Sequence, residues 1–190
     1  QHAQGMKEAI SGISSQLMFI ELELAAMDED GFQQALSDPD FYHFLPWLRR
    51  LRAFAPHQLE TRLEQMLVER TPAGRGAWIR LFDETATALR FAFQGTEVTE
   101  AEILNKLSDP SADIRKEAGQ SLSEVMQDNQ RLFCLILNVI AKDKEIDDRW
   151  RGFKRPVSSR NLANDVDDAT VDALAGAVTA RMPDIAHRYY

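Results

Sequence analysis

Residues 6–27, MKEAISGISSQLMFIELELAAM, decide the fold class. Met6, Ile10, Ile13, Leu17, Ile20, Leu24 and Met27 recur at gaps of 4-3-4-3-4-3, one face of an α-helix sustained for three heptads. Met18, Phe19 and Leu22 widen that face beyond a two-stranded seam, so the pattern predicts a helix packed inside a multi-helix core. Asp28-Glu29-Asp30-Gly31 then breaks it, and Phe32 to Leu36 leave room only for a short helix.

The same period runs through most of the chain. Asp38-Pro39 and Thr71-Pro72 each join a capping side chain to a proline at the first helical position. The first helix they open is expected to carry Phe41, Phe44, Leu45, Leu48 and Leu51 inward, and the second to bury Trp78, Leu81, Phe82 and Leu89. Between them, after Pro56, come Leu59, Leu63, Met66 and Leu67. Arg90–Phe93 and Glu97–Thr99 flank Gln94-Gly95-Thr96, which reads as a small hairpin with Gly95 free to take positive φ. A lone hairpin is marginal, so it must lean on helices. Thr99 and Glu102 form a capping box. Asp109-Pro110 opens a long helical pattern through Ile114, Ala118, Leu122, Val125 and Ile136. Its stretch from Leu132 to Ile140 is apolar on nearly every side, which predicts the most deeply buried helix, with Cys134 as a buried small hydrophobe. Asp143 to Phe153 is charged and reads as irregular. Asp167 or Asp168 caps a last helix with Val171, Leu174, Val178 and Met182, and Pro183 restarts it. The expectation is an all-α chain, a multi-helix array or bundle with one short β-hairpin near residues 90–99. One helical domain is expected over 1–190, with 1–98 and 99–190 as its sub-units.

Composition bounds the function. The 190 residues are 44% hydrophobic and 27% charged, and 22 Lys+Arg against 30 Asp+Glu leave a net charge of −8. An acidic chain is a poor generic ligand for phosphate backbones or anionic lipid, so neither nucleic acid nor membrane is expected as a partner. No run approaches the ~18 apolar residues of a membrane span, and no signal-peptide pattern opens the chain. The single cysteine forms neither an internal disulfide nor a Cys-rich zinc site, which fits a cytoplasmic protein. The chain begins at Gln1 with its heptads running by Met6, and no stop signal follows Tyr190. It therefore reads as a piece of a longer polypeptide.

Few residues offer chemistry. His2, His43, His57 and His187 are scattered, and none stands in H-E-x-x-H, the spacing that sets two zinc ligands beside a general base on one helix face. Asp143-Lys144-Glu145-Ile146-Asp147-Asp148 mimics the start of a calcium loop but has Asp148 where an EF-hand needs glycine. Ser158 and Ser159 lack triad partners in the sequence, and Gly74 and Gly76 follow no strand that would make a phosphate loop. Arg149-Trp150-Arg151-Gly152-Phe153 is the most unusual local chemistry. Guanidinium groups stacked on aromatic faces can line a peptide-binding wall. The plainer reading is a charged helix end packed by Trp150.

Taken together, several strings resemble oligoendopeptidase F, in the thimet-oligopeptidase-like family of zinc metallopeptidases. They are Ile13–Leu24, Ala77–Thr85, Leu107–Pro110, Ala141–Ile146, Arg149–Phe153 and Ser158–Asn164, in the family's order and spread over nearly the whole chain. The resemblance implies a parent that cleaves short peptides in a deep channel between two mostly helical lobes. Its zinc would be held by the two histidines of H-E-x-x-H and a later Glu. This chain lacks that motif, so no catalytic or metal-binding residue carries over to it, and the zinc belongs to the catalytic part of the parent. What the resemblance leaves for this chain is shape: a helical wall restricting the channel to short peptides, inactive alone, with the catalytic lobe as its partner. The surface expected to face channel or lobe is Arg149, Trp150, Arg151, Phe153, Tyr189 and Tyr190. The competing reading is a HEAT-like α-solenoid scaffold, suggested by Ser108-Asp109-Pro110 and its twin at residues 37–39. Those signals lie 71 residues apart, against ~40–47 for such repeats.

Overall fold

The computed structural model describes residues 2–189, with the side chains of residues 2–4 and 187 outside the description. Its elements are α1 (His2–Ala25), α2 (Glu29–Ser37), α3 (Leu45–Phe54), α4 (Thr61–Arg70), α5 (Arg75–Ala88), β1 (Phe91–Phe93), β2 (Thr96–Val98), α6 (Glu100–Lys106), α7 (Ala112–Asp128), α8 (Gln130–Trp150), α9 (Ser158–Ala163) and α10 (Asp168–Tyr189). Short 3-10 turns at Pro39–Phe44 and Ala55–His57 flank α3. The chain is all-α with one antiparallel hairpin, as its periodicity predicts.

Two compact units form. One holds residues 70–143 and the other residues 1–69 with 144–190. In the first, the hairpin pairs Phe91 with Val98 and Phe93 with Thr96 across the two-residue loop Gln94-Gly95, both at positive φ (49° and 77°). That geometry matches the right-handed twist of the strands, and glycine adopts it without strain. Phe91 and Phe93 alternate inward and meet Ile103 of α6 and Ala118 of α7, with Leu89, Val98, Leu107, Ile114 and Leu122 around them. The capping box at Thr99 is formed in full and launches α6 at the angle this packing needs.

The other unit is built on α1 against α3. Here the heptad reading fails. The buried face of α1 runs through Ser11, Ser15, Met18, Leu22 and Ala25, while Met6, Ile10, Ile13, Leu17 and Ile20 are all exposed. Small residues let neighbouring backbone approach closely, and both hydroxyls find partners: Ser11 Oγ donates to the Val68 carbonyl (2.6 Å) and Ser15 Oγ to Glu69 Oε1 (3.0 Å). Arg52 of α3 ties in α2, donating to the Met27 carbonyl (2.8 Å) and to Glu29 while its guanidinium lies over Phe32.

Other expectations are corrected as well. Phe41 and Phe44 lie in a 3-10 turn and, like Leu81 and Phe82, are exposed rather than inward, and α5 starts at Arg75 instead of at Pro72. The Leu132–Ile140 stretch is not the deepest part of the chain: Ile136 is buried, but Leu135, Leu137 and Cys134 are exposed. An all-round apolar stretch carries no information about which side neighbours will cover. Asp143–Trp150 is helical rather than irregular, because charges at i,i+4 pair along it: Lys144 with Asp148, Glu145 with Arg149 and Asp147 with Arg151. Pro183 lies inside α10 rather than restarting it, and Val178 and Met182 are exposed on that helix.

Candidate functional site

The Arg149–Phe153 string sits where α8 ends, in the unit built on α1 and α3. Gly152 at φ 74° is the terminator. Its N–H donates to the Arg149 carbonyl (3.3 Å) while the Phe153 N–H reaches back to the Asp148 carbonyl (2.8 Å). This pair of bonds is a Schellman motif, and glycine suits its left-handed position. The turn sorts the five residues into two sets.

Arg151 and Phe153 go inward. The Arg151 guanidinium grips Glu64 of α4 with two parallel bonds (2.5 and 2.9 Å), and also donates to Asp147 (2.8 Å) and the His57 carbonyl (3.2 Å). Glu64 accepts a further bond from the Leu59 N–H (2.9 Å). His57 closes the arrangement. Its Nδ1–H donates to the Arg151 carbonyl (2.8 Å) and its ring stacks on Phe153 at 3.8 Å and 16°. Burial works against the Glu64 carboxylate, but the Arg151 and Leu59 hydrogen bonds and the Arg151 charge together hold its pKa below the usual value. Arg151 is pushed up, first by its bond to Glu64, against burial, with Asp147 adding to the effect. Neither group exchanges a proton near neutral pH. The cluster is a clamp between α4 and the end of α8.

Arg149 and Trp150 go outward. Arg149 pairs with Glu145 one turn back, and Trp150 is 61% exposed. The helix end is therefore packed by Arg151 and Phe153, not by Trp150. Tyr189 is exposed at the end of α10, and Tyr190 lies outside the described residues. A second clamp anchors the loop beyond. Lys144 bridges Asp148 and Ser159, Ser158 and Asn161 both donate to Asp168, and Arg155 pairs bidentately with Asp172. These bonds keep Asp168 and Asp172 below the usual carboxylate range. Ser158 and Ser159 are thus structural hydroxyls.

Sequence reasoning missed Glu64 and His57, because their partner lies 87 and 94 residues away and no spacing links them. It also missed a groove of about 350 Å³ between α1 and α3, lined by the apolar Met18, Leu22, Trp47, Leu51 and Phe54 and by the polar Glu21, Arg50, Gln58 and Glu64. The zinc that the resemblance implies finds no fit in these residues. His57 and Glu64 are committed to Arg151, and among the described residues no three His, Cys, Asp or Glu side chains come together to hold a metal.

Residues 23–91 match the model of a family described as oligopeptidase F. No curated protein matches the chain. Among solved structures, the crystal structure of oligoendopeptidase-F from Enterococcus faecium is similar in fold, with a TM-score of 0.83 at 18% identity. The match covers 96% of this chain and 37% of that one, so this chain spans little more than a third of the length of the enzyme it resembles. Over residues 23–91 the chain is thus similar to the oligopeptidase F family, and along nearly its whole length it shares the fold of an oligoendopeptidase-F.

Proposed function

We propose that this chain is the non-catalytic helical part of an oligoendopeptidase F-like zinc metallopeptidase of the cytoplasm, where it forms a wall of the channel that admits short peptides. The observation that carries the reading is the fold match, which takes in almost all of this chain and only 37% of the enzyme. Its own residues support a steric role. The Glu64–Arg151 clamp holds the end of α8 rigid, and the Schellman turn points Arg149 and Trp150 away from the core. A stiff wall selects by shape and needs no nucleophile or metal of its own. The zinc and the general base belong to the catalytic lobe, which the apolar side of α10 meets through Leu174, Val178, Met182, Ile185 and Tyr189, with Tyr190 following. These side chains are 45–84% exposed within this chain, Tyr190 aside. Such a stripe marks an interaction surface.

The coding sequence beyond Tyr190 tests the proposal. An H-E-x-x-H there, and zinc-dependent cleavage of short peptides by the whole polypeptide, are the expected results. In that protein Trp150→Ala should shift the upper length limit of the peptides cleaved. A continuation without the motif, or hydrolysis indifferent to Trp150 across a peptide-length series, would refute the wall.

A further inference from the structure

The exposed stripe of α1 has a feature the α10 stripe lacks. Met6, Ile10, Ile13, Leu17, Ile20 and Leu24 keep a strict 3.5-residue period, whereas Leu174, Val178, Met182, Ile185 and Tyr189 are spaced 4-4-3-4. A sustained 3.5 period is the pattern that fits knobs into the holes of another helix. Because α1 packs on its own unit through Ser11, Ser15, Met18, Leu22 and Ala25, the heptad side is left as a second, separate face. Five of its residues, from Met6 to Ile20, are 42–59% exposed.

We propose that this face is a self-association surface, on which α1 of a second copy of the chain lies antiparallel. The register follows from the sequence. With Ile10, Leu17 and Leu24 at the a positions and Met6, Ile13 and Ile20 at the d positions, an antiparallel pair sets Met6 against Leu24, Ile10 against Ile20 and Ile13 against Leu17, each contact made twice. That is the self-complementarity a two-fold interface requires. The flanking residues choose the direction. Lys7, Ser14 and Glu21 occupy the e positions, and Ala9, Gln16 and Glu23 the g positions. Antiparallel helices bring e against e, so Lys7 of each copy faces Glu21 of the other, and Glu23 faces only Ala9. A parallel pair sets Glu23 against Asp28 and leaves Lys7 with no carboxylate. Charge complementarity therefore selects a second copy in one orientation. The acidic chain argues against an anionic membrane as the occupant.

Sedimentation velocity of the 190-residue chain should give a dimer at micromolar concentration. Leu17→Glu should raise its dissociation constant at least 100-fold with helicity by circular dichroism unchanged. Lys7→Glu, at an exposed position that leaves the fold intact, should weaken it about 10-fold, and adding Glu21→Lys should restore it to within about threefold. Residues 7 and 21 lie about 21 Å apart along one helix, so only an antiparallel pair gives that rescue. A monomer at 100 μM, a dimer indifferent to Lys7→Glu, a double variant no tighter than the single, or a monomer that co-sediments with anionic vesicles would each overturn the proposal.

Discussion

Removing one partner of the Glu64–Arg151 clamp should destabilise the chain more than removing both. Glu64 and Arg151 side chains keep 10% and 21% of their exposure, so most of their hydration is lost on folding. Breaking a buried pair by deleting one member typically costs ~3–5 kcal/mol, because the other charge stays buried without its counterion. Arg151 retains Asp147 and the His57 carbonyl when Glu64 is lost, which argues for the lower end. Glu64→Gln should therefore cost ~3 kcal/mol, and Arg151→Met about the same, since it strands Glu64 with only the Leu59 N–H. The double variant Glu64→Leu with Arg151→Met should cost ~1 kcal/mol or less, because two apolar side chains of similar size need no counterion. Urea unfolding followed by circular dichroism gives the cycle. The pH dependence supplies an independent check. Glu64 has its folded pKa below the unfolded value, so its contribution is present above the unfolded value of 4.5 and is lost as pH falls through the folded one. Acid should erode the stability of the parent chain below about pH 4.5 more steeply than that of Glu64→Gln. Single variants costing under ~1 kcal/mol, or a double variant costing the sum of the two, would refute the clamp.

Other substitutions probe the corrected burial pattern. Ile103→Ala, at a site with no exposure, should cost ~2–5 kcal/mol, whereas Leu137→Ala, 68% exposed, should stay within ~0.5 kcal/mol by the same unfolding measurement. Cys134, exposed on α8, should react stoichiometrically with a thiol reagent in the folded chain, and a thiol that becomes accessible only in urea would contradict its placement. Gly152→Ala should lose ~1 kcal/mol to backbone strain alone, because nothing lies within 4 Å of the added carbon, and a stabilised variant would refute the left-handed turn.

Much was legible in the linear pattern. The helices declare themselves by their 3.6-residue period, and Thr99-x-x-Glu102 and Gln94-Gly95 mark a helix start and a hairpin within two residues of where they form, whereas Thr71 and Asp109 do not cap the helices after them. Such features rest on contacts within one turn, so neighbouring residues suffice to specify them. Family likeness was also readable, since it resides in ordered strings. What the sequence by itself could not determine was which side of a helix is covered. On α1 the apolar heptads promise the core, yet Ser11 and Ser15 face inward, because small hydroxyl side chains with the Val68 carbonyl and Glu69 as partners allow closer packing there. On α8 the apolar run was equally silent about direction. The clamp was beyond reach for the same reason. Glu64, His57 and Arg151 sit in patterns of ordinary charged residues, and only the chain's path through space brings them together, 87 and 94 residues apart, where partial burial makes their pairing decisive.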